Sequence, residues 1–370
     1  IKLYMRKKLA LLLFRYFPYG GLQKDFLGIA KELIARDHEL KVYTRTWEGA
    51  IPEDLDVFEL GKRGVSNYSK NKNYVRDVHK SLQTFSPDIT FGFNKMPGLD
   101  LYFAADTCFA KQSKKKNPLQ KFTRRSRQSF KFEKMIFSPS SNSKVLLLNE
   151  NQKSDFKEIY STQSERMTII PPGIDRSWNQ QESININEVL QVPKEDKIIL
   201  FVGSDFFRKG LDRAILGLTH LNEKGISATL IVIGDDKKDT FQRLLNDNYL
   251  ISKVIFLGPR QDVASFMKSS DLLVHPAREE AAGNIIIEAM VSGLPSLVSN
   301  EVGFSNEVRK YNAGEVVDGI FKQDKFNHLL EEMFSNKKLS SIKSNISHLS
   351  DSDYFFSRFE FIADFIEDYF

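Results

Sequence analysis

Apolar and polar positions along the chain fall into blocks whose period keeps switching. Leu9 to Phe14 is an unbroken apolar run, the pattern of a strand buried on both faces. Gly20-Gly21 interrupts it, and Phe26, Leu27, Ala30, Leu33 and Ile34 then recur at helical spacing ahead of a second run, Leu40 to Thr44. A strand, a glycine turn, an amphipathic helix and another strand make a βαβ unit, which implies a parallel sheet with right-handed crossovers. Ile89 to Phe93 and Val145 to Leu148 extend the series, and the first half ends near Tyr160. Ile169-Ile170-Pro171-Pro172-Gly173-Ile174 follows as a stiff, helix-breaking connector. A second α/β series runs through Ile198 to Gly203, Thr229 to Ile233, Val254 to Leu257, Leu272 to His275 and Ser296 to Val298. The end, Tyr354 to Phe370, is an aromatic amphipathic helix with Phe355, Phe359, Ile362, Ile366 and Tyr369 near one face, and it needs a surface to bury itself against.

A chain of 370 residues exceeds the usual size of one hydrophobic core. The expected fold class is therefore α/β with two Rossmann-like, doubly wound parallel-sheet domains facing a central cleft. The first covers residues 1–170 and the second 171–350, with a terminal helix over 351–370 packing back on the first. Apolar residues at 41% leave enough surface for real cores and exclude general disorder. Cys108 is the only cysteine, so no intrachain disulfide can form, and a reducing compartment, the cytosol, is expected. Met5-Arg6-Lys7-Lys8 before Leu9 imitates a secretory signal, but the apolar run is short and leads into Pro18-Tyr19-Gly20-Gly21. It reads as a first strand, with Met5 as a natural start and Ile1 to Tyr4 as either an upstream extension or residues foreign to the native chain. No apolar stretch approaches the roughly 18 residues that span a bilayer.

Chemistry concentrates in the stretch from His275 to Ala289, where a strand ends, a loop follows and a helix begins near Gly283. The free amides of that first turn can bind an anion. Glu280 precedes the turn and Glu288 lies within the helix, roughly 12 Å away at helical rise. Two carboxylates so spaced suit the hydroxyls of a hexose and of a ribose. Arg208-Lys209, after the first strand of the second half, sit where doubly wound folds bind ligands, and they can neutralise a departing diphosphate. Gly20-Gly21 is a third phosphate-approach candidate. There is no G-x-G-x-x-G fingerprint and no Walker loop, so dinucleotide binding and ATP hydrolysis lose support. His and Cys lack metal-ligand spacing, and Asp235-Asp236 reads as an exposed loop, so no metal site is expected.

With these residues in view, the chain resembles the retaining GT-B glycosyltransferases, and within them the bacterial enzymes that add glucose to a heptose of the lipopolysaccharide inner core. The resemblance runs from about Leu9 to Gly319. It is carried by Tyr16 to Gln23, Gly92 to Asp100, Tyr102 to Asp106, Pro171 to Ile174, Val202 to Asp205 and Arg208-Lys209-Gly210, beside the more widely shared pair Glu280 and Glu288. It implies UDP-glucose as donor substrate, no cofactor and no metal. Donor contacts would come from Gly20, Gly21, Arg176, Arg208, Lys209, Arg260, Glu280, Ala282, Gly283 and Glu288. Asp25 and Asp106 match acids facing the reacting centre, with Lys209 and Glu280 the other residues closest to the chemistry. Asn94, Lys95 and Asp100 would face the acceptor, where Lys95 suits a phosphorylated heptose. Asn284 stands where the family usually has an apolar residue. Retention without a well-placed nucleophile implies front-face attack assisted by the diphosphate. The alternative is another nucleotide sugar or another lipid-linked acceptor handled by the same fold.

Charge is uneven: Lys111 to Lys134 holds ten Lys or Arg against Glu133 alone, while the whole chain is only +5. Phe122, Phe130 and Phe132 lie among these cations, a pattern that also fits single-stranded nucleic acid. The confinement of charge to one segment and the absence of a nucleic-acid-binding fold argue against nucleic acid as a partner. A solvated helix face is the plain alternative. Because the implied acceptor is lipid-linked, segment 107–134 is expected to touch the anionic cytoplasmic face of the inner membrane, where each cation gains about 1 kcal/mol.

Overall fold

A computed structural model describes residues 5–18, 20–114, 123–335 and 337–370. The chain divides into two compact units, Ile1–Gly173 with Ser357–Phe370, and Ile174–Phe356. The expectations placed on Ile1 to Tyr4 and on Lys115, Lys116, Lys121 and Phe122 lie outside the described residues.

The first unit is built on strands β1 (Lys8–Leu13), β2 (Glu39–Thr44), β3 (Asp56–Glu59), β4 (Ile89–Gly92), β5 (Leu101–Ala104), β6 (Lys144–Leu147) and β7 (Met167–Ile169). They pair in the order β3-β2-β1-β4-β5-β6-β7, every neighbour parallel. Central strands such as β1 and β5 bury nearly every side chain because helices cover both faces. β3 at the edge is mostly exposed, and its polar ends discourage pairing with another chain. The second unit repeats the plan with β8 (Lys197–Val202), β9 (Ala228–Ile233), β10 (Val254–Gly258), β11 (Leu272–His275), β12 (Ser296–Ser299) and β13 (Gly314–Val317). Its order is β10-β9-β8-β11-β12-β13, again all parallel. Strand order therefore reverses between β1 and β4 in one sheet and between β8 and β11 in the other, and ligands of doubly wound sheets bind at the carboxyl ends of such strand pairs.

The terminal helix is Arg358–Tyr369, not the whole of residues 354–370, and a 3-10 turn over Asp353–Phe356 precedes it. Its buried side is Arg358, Ile362, Ala363, Phe365 and Ile366, whereas Tyr369 is exposed and Phe355 belongs to the second unit. It lies against the helix Gly21–Ala35. Approach is so close that a Cβ on Gly28 would stand 2.3 Å from the Phe359 ring, so only glycine fits. Arg358, wholly buried, donates from Nη1 to Asp25 Oδ1 at 2.7 Å and from Nε to the Pro171 carbonyl at 3.0 Å. One guanidinium thus joins the first helix, the connector and the terminal helix.

The basic segment begins in the helix Phe109–Lys114 and ends in the helix Arg124–Phe137. Its single acid is no surface charge. Glu133 is buried and accepts from the Phe109 and Ala110 amides at 2.8 and 2.9 Å, from the Tyr160 hydroxyl at 2.7 Å and from Lys95. Burial acts to raise its carboxyl, but Lys95 and the two amides outweigh it and hold the group below the usual range, Lys95 contributing most. The nearby Cys108 thiol is pushed up to about 11 by burial and by Glu133, so it is inert packing.

Breaking the Asp25–Arg358 pair from either side leaves an uncompensated buried charge. Asp25→Leu and Arg358→Met should each destabilise the first unit by about 3–5 kcal/mol, and the double variant by less than the sum. Urea unfolding in a Trp178→Phe background, with Trp47 reporting the first unit, measures this; additive losses would contradict the pairing.

Candidate active site

The two loops at the carboxyl ends of β8 and β11 are fastened to each other. After β8 the chain turns through Asp205, held at φ 60°, into the short helix Phe206–Lys209 and then, at Gly210 (φ 84°), into the helix Leu211–Glu223. Asp236 Oδ2 accepts from the Phe206 amide at 2.7 Å, so this carboxylate caps the turn. A Cβ on Gly210 would lie 2.1 Å from the Pro276 carbonyl oxygen, which makes glycine the condition for bringing the β11 loop this close. Arg278 completes the joint. Its amide donates to the Arg208 carbonyl at 2.8 Å, and its guanidinium forks onto Asp212 at 2.8 and 2.7 Å and covers the Phe207 ring at 3.8 Å.

That joint places unlike charges in contact. Lys209 Nζ meets Glu280 Oε2, with side-chain exposures of 14% and 15%. Arg208 donates from Nη1 to the Glu279 carbonyl at 2.9 Å and from Nε to Asp205 Oδ2 at 2.7 Å, and Nη1 also reaches Glu280 Oε2 at 3.5 Å. Burial and the adjacent Arg208 pull the Lys209 ammonium down to about 7, against the pull of Asp205 and Glu288. Glu288 therefore acts on Lys209 from the helix Asn284–Val291. Gly283, at φ 82°, caps that helix, and its carbonyl accepts from the Ile286 amide at 2.8 Å. Residues 280–282 are anchored in turn: the Gly303 amide donates to the Glu280 carbonyl and the Phe304 amide to the Ala282 carbonyl, at 3.1 and 2.8 Å. Asn284, the polar residue at the helix start, keeps a buried Oδ1 without a hydrogen-bond partner.

His275, the last residue of β11, was given no role in the sequence reading. It is fully buried, both ring nitrogens lack hydrogen-bond partners, and Nε2 lies 3.8 Å from Glu280 Oε2. Burial first, then Lys209 and Arg208, drive it well below its ordinary value, so it is a neutral imidazole. Its signal was there to see, a titratable residue closing a buried strand directly before Pro276.

The remaining predicted residues have other surroundings. In the second unit, Arg176 pairs with Asp353 at 3.0 Å and covers Phe356, and Arg260 forks onto Asp262 at 2.7 and 2.6 Å. In the first unit, Gly20 caps the helix Gly21–Ala35, and a Cβ on Gly21 would meet open space. Asn94 Oδ1 accepts from the Phe14 amide at 2.7 Å, tying the end of β4 to the end of β1. Asp100 Oδ2 accepts from the amide and hydroxyl of Thr90 at 2.8 and 2.6 Å. Lys95 does not stand open for an acceptor phosphate, since Glu133 and the Thr107 carbonyl take its ammonium. Asp25 likewise is not a free acid at a reacting centre: it is 5% exposed and committed to Arg358, and burial raises its carboxyl. Asp106, by contrast, is exposed just beyond β5.

Two cations beside a helix start, with carboxylates within the same cluster, can hold a diphosphate and the hydroxyls on either side of it. A family model described as glycosyl transferases group 1 matches residues 182–346. The chain is 37% identical over 366 residues to the lipopolysaccharide glucosyltransferase WaaG of Escherichia coli strain K12, covering 96% of this chain and 98% of that one. A crystal structure of WaaG, a glycosyltransferase involved in lipopolysaccharide biosynthesis, superposes with a TM-score of 0.89 at 36% identity, over 97% and 99% of the two chains. The Anabaena protein HepE, solved in complex with UDP and glucose, shares the fold at a TM-score of 0.74 and 18% identity, over 98% and 100%.

A Lys209 that titrates near 7 is largely neutral at pH 8 and recovers its proton when an anion arrives. Binding of a nucleoside diphosphate at pH 8 should therefore take up close to one proton, less at pH 6, and none in Lys209→Arg, which stays charged. Calorimetry in buffers of different ionisation enthalpy reads the uptake; heats independent of buffer at pH 8 in the parent would contradict it.

Proposed function

The chain belongs to the glycosyltransferase family that includes the Escherichia coli lipopolysaccharide glucosyltransferase, and on that premise we propose that it moves glucose from UDP-glucose to an inner-core heptose of lipopolysaccharide, with retention and without a metal ion. The observation that carries the reading is the contact of Lys209 and Arg208 with Glu280 at the reversal point of the second sheet. Lys209 and Arg208 take the diphosphate, Glu280 the glucose hydroxyls and Glu288 the ribose. In the free protein Lys209 and Glu280 are in contact, and on donor binding the diphosphate takes the place of Glu280 beside Lys209.

The bond between the glucosyl anomeric carbon and the diphosphate oxygen breaks, and the diphosphate keeps the electron pair. The acceptor hydroxyl forms the new bond on the same face, and its proton passes to the departing oxygen. Charge grows on the diphosphate as the bond lengthens, so Arg208, Lys209 and the helix start at Gly283 act most strongly in the transition state. Their positive charge does the work a metal would otherwise do. Neutral His275 keeps a third cation out of the cluster. Asp106, exposed after β5, is the acid of the expected pair left to meet an acceptor, on the same carboxyl side of the sheet where Asn94 ties the end of β4 to the end of β1.

Segment 107–134 brings the enzyme to the anionic inner-membrane surface, where its lipid-linked acceptor lies. The exposed Arg125 and Lys134 of the helix Arg124–Phe137 support this reading. Among the described residues no helix is long and apolar enough to cross a membrane.

Lys209→Ala should lower kcat about 100-fold or more while the donor Kd changes only several-fold. Glu288→Ala should instead raise the donor KM with kcat nearly kept, because ribose is remote from the breaking bond. Steady-state transfer with UDP-glucose, UDP-galactose and GDP-mannose measures both. Preference for GDP-mannose, or equal kcat losses in the two variants, would overturn the assignment.

A further inference from the structure

The helices Asn67–Phe85 and Arg124–Phe137 of the first unit enclose a groove of about 560 Å³, a size typical of small-molecule sites. Four cations line it, Lys72 from one helix and Arg124, Arg127 and Lys131 from the other. No carboxylate lines it, and none of the four has an ion-pair partner among the described residues. Its apolar wall is Tyr68, Val75, Pro97, Phe132 and Met135. The spacing explains the arrangement: Tyr68, Lys72 and Val75 follow one helical face, as do Arg124, Arg127, Lys131 and Met135. The Gln128 amide bridges the helices by donating to the Tyr68 carbonyl at 3.1 Å.

Like charges at positions 124, 127 and 131 weaken their own helix, and the one acid nearby, Glu133, points into the core to hold Lys95. An anion bound in the groove would relieve this repulsion. All of these cations are exposed, but Lys72, Arg124, Arg127 and Lys131 line the groove whereas Arg125 and Lys134 lie off it. Arginine forks grip phosphate or carboxylate, and the faces of Tyr68 and Phe132 suit the C–H face of a sugar ring. Pro97, in the wall, lies three residues beyond Asn94, for which the resemblance implies a place facing the acceptor, and the groove helix fixes Lys95 between them.

We propose that this groove is a subsite for an anionic sugar of the acceptor: Lys72, Arg127 and Lys131 hold its phosphate or carboxylate while its ring rests on Tyr68 and Phe132. The inference rests on the glucosyltransferase reading and names the part of the acceptor that the first unit grips. Inner-core oligosaccharide stripped of its acyl chains tests it without a membrane and without turnover. By calorimetry, Arg127→Gln with Lys131→Gln should weaken its binding tenfold or more, and Lys72→Gln, from the opposite wall, several-fold. Arg125→Gln with Lys134→Gln should leave it unchanged, and Arg127→Lys with Lys131→Arg should retain most of it. Phosphatase treatment of the oligosaccharide separates the two anions: the groove effect vanishes if phosphate is held and persists if carboxylate is. Unchanged urea unfolding of the first unit, read by Trp47 in the Trp178→Phe background, shows that the variants are folded.

The proposal is overturned if the parent does not bind the oligosaccharide. It is also overturned if the groove variants bind it like the parent yet lose vesicles of phosphatidylglycerol and phosphatidylcholine, which makes the groove part of a membrane contact. Equal weakening by the Arg125 and Lys134 changes would reduce it to diffuse charge. A parent that binds the oligosaccharide but transfers no glucose would defeat the glucosyltransferase reading and leave the subsite standing.

Discussion

Everything about the second unit's site follows from holding Lys209 and Glu280 nearly buried and in contact. Alone, either charge would lose most of its hydration, at a cost of several kcal/mol. Together they are tolerated, and the surroundings are arranged to keep them together. Gly210 lets the two loops approach, Arg278 clamps them through Asp212 and Phe207, and Asp236 fixes the turn that carries Arg208 and Lys209. Lys209 is poised near its titration point by burial and Arg208, and His275 is kept neutral by the same causes. A dianionic ligand suits such a pocket because it completes the neutralisation that the pair supplies only provisionally.

The first unit shows the same economy with a different outcome. Asp25–Arg358 and Glu133–Lys95 are also buried pairs, but they are tied to the backbone as well: Arg358 Nε to the Pro171 carbonyl, with Nη2 left buried and unpartnered, Glu133 to two amides, and Lys95 to a carbonyl. Such pairs hold elements in place and have little left to offer a ligand. The Lys209–Glu280 pair lacks those extra ties, and that difference separates a site from a joint.

Much of this was legible in the sequence, and the limits are physical. Long apolar runs gave β1, β8 and β9 to within a residue or two, because a strand buried on both faces needs no polar positions. β3, β5, β7 and β13 escaped notice; β3 at the edge is mostly exposed with acidic ends, and β7 has only three residues. Arg208, Lys209, Glu280 and Glu288 were visible because their chemistry follows strand ends. Asp25 and Lys95 were misjudged because their partners, Arg358 and Glu133, are 333 and 38 residues away and only the fold brings them together. The aromatic end was drawn too long since hydrophobicity alone cannot tell Phe355, packed in the second unit, from Ile362, packed in the first.

The central claim is that the Lys209–Glu280 contact is a placeholder for the donor. A crystal structure of the protein with UDP-glucose tests it most directly. The diphosphate should lie on Arg208 and Lys209, with Glu280 released from Lys209 and bonded to glucose hydroxyls and Glu288 on the ribose. A nucleotide bound elsewhere, with the Lys209–Glu280 contact unbroken, would contradict it.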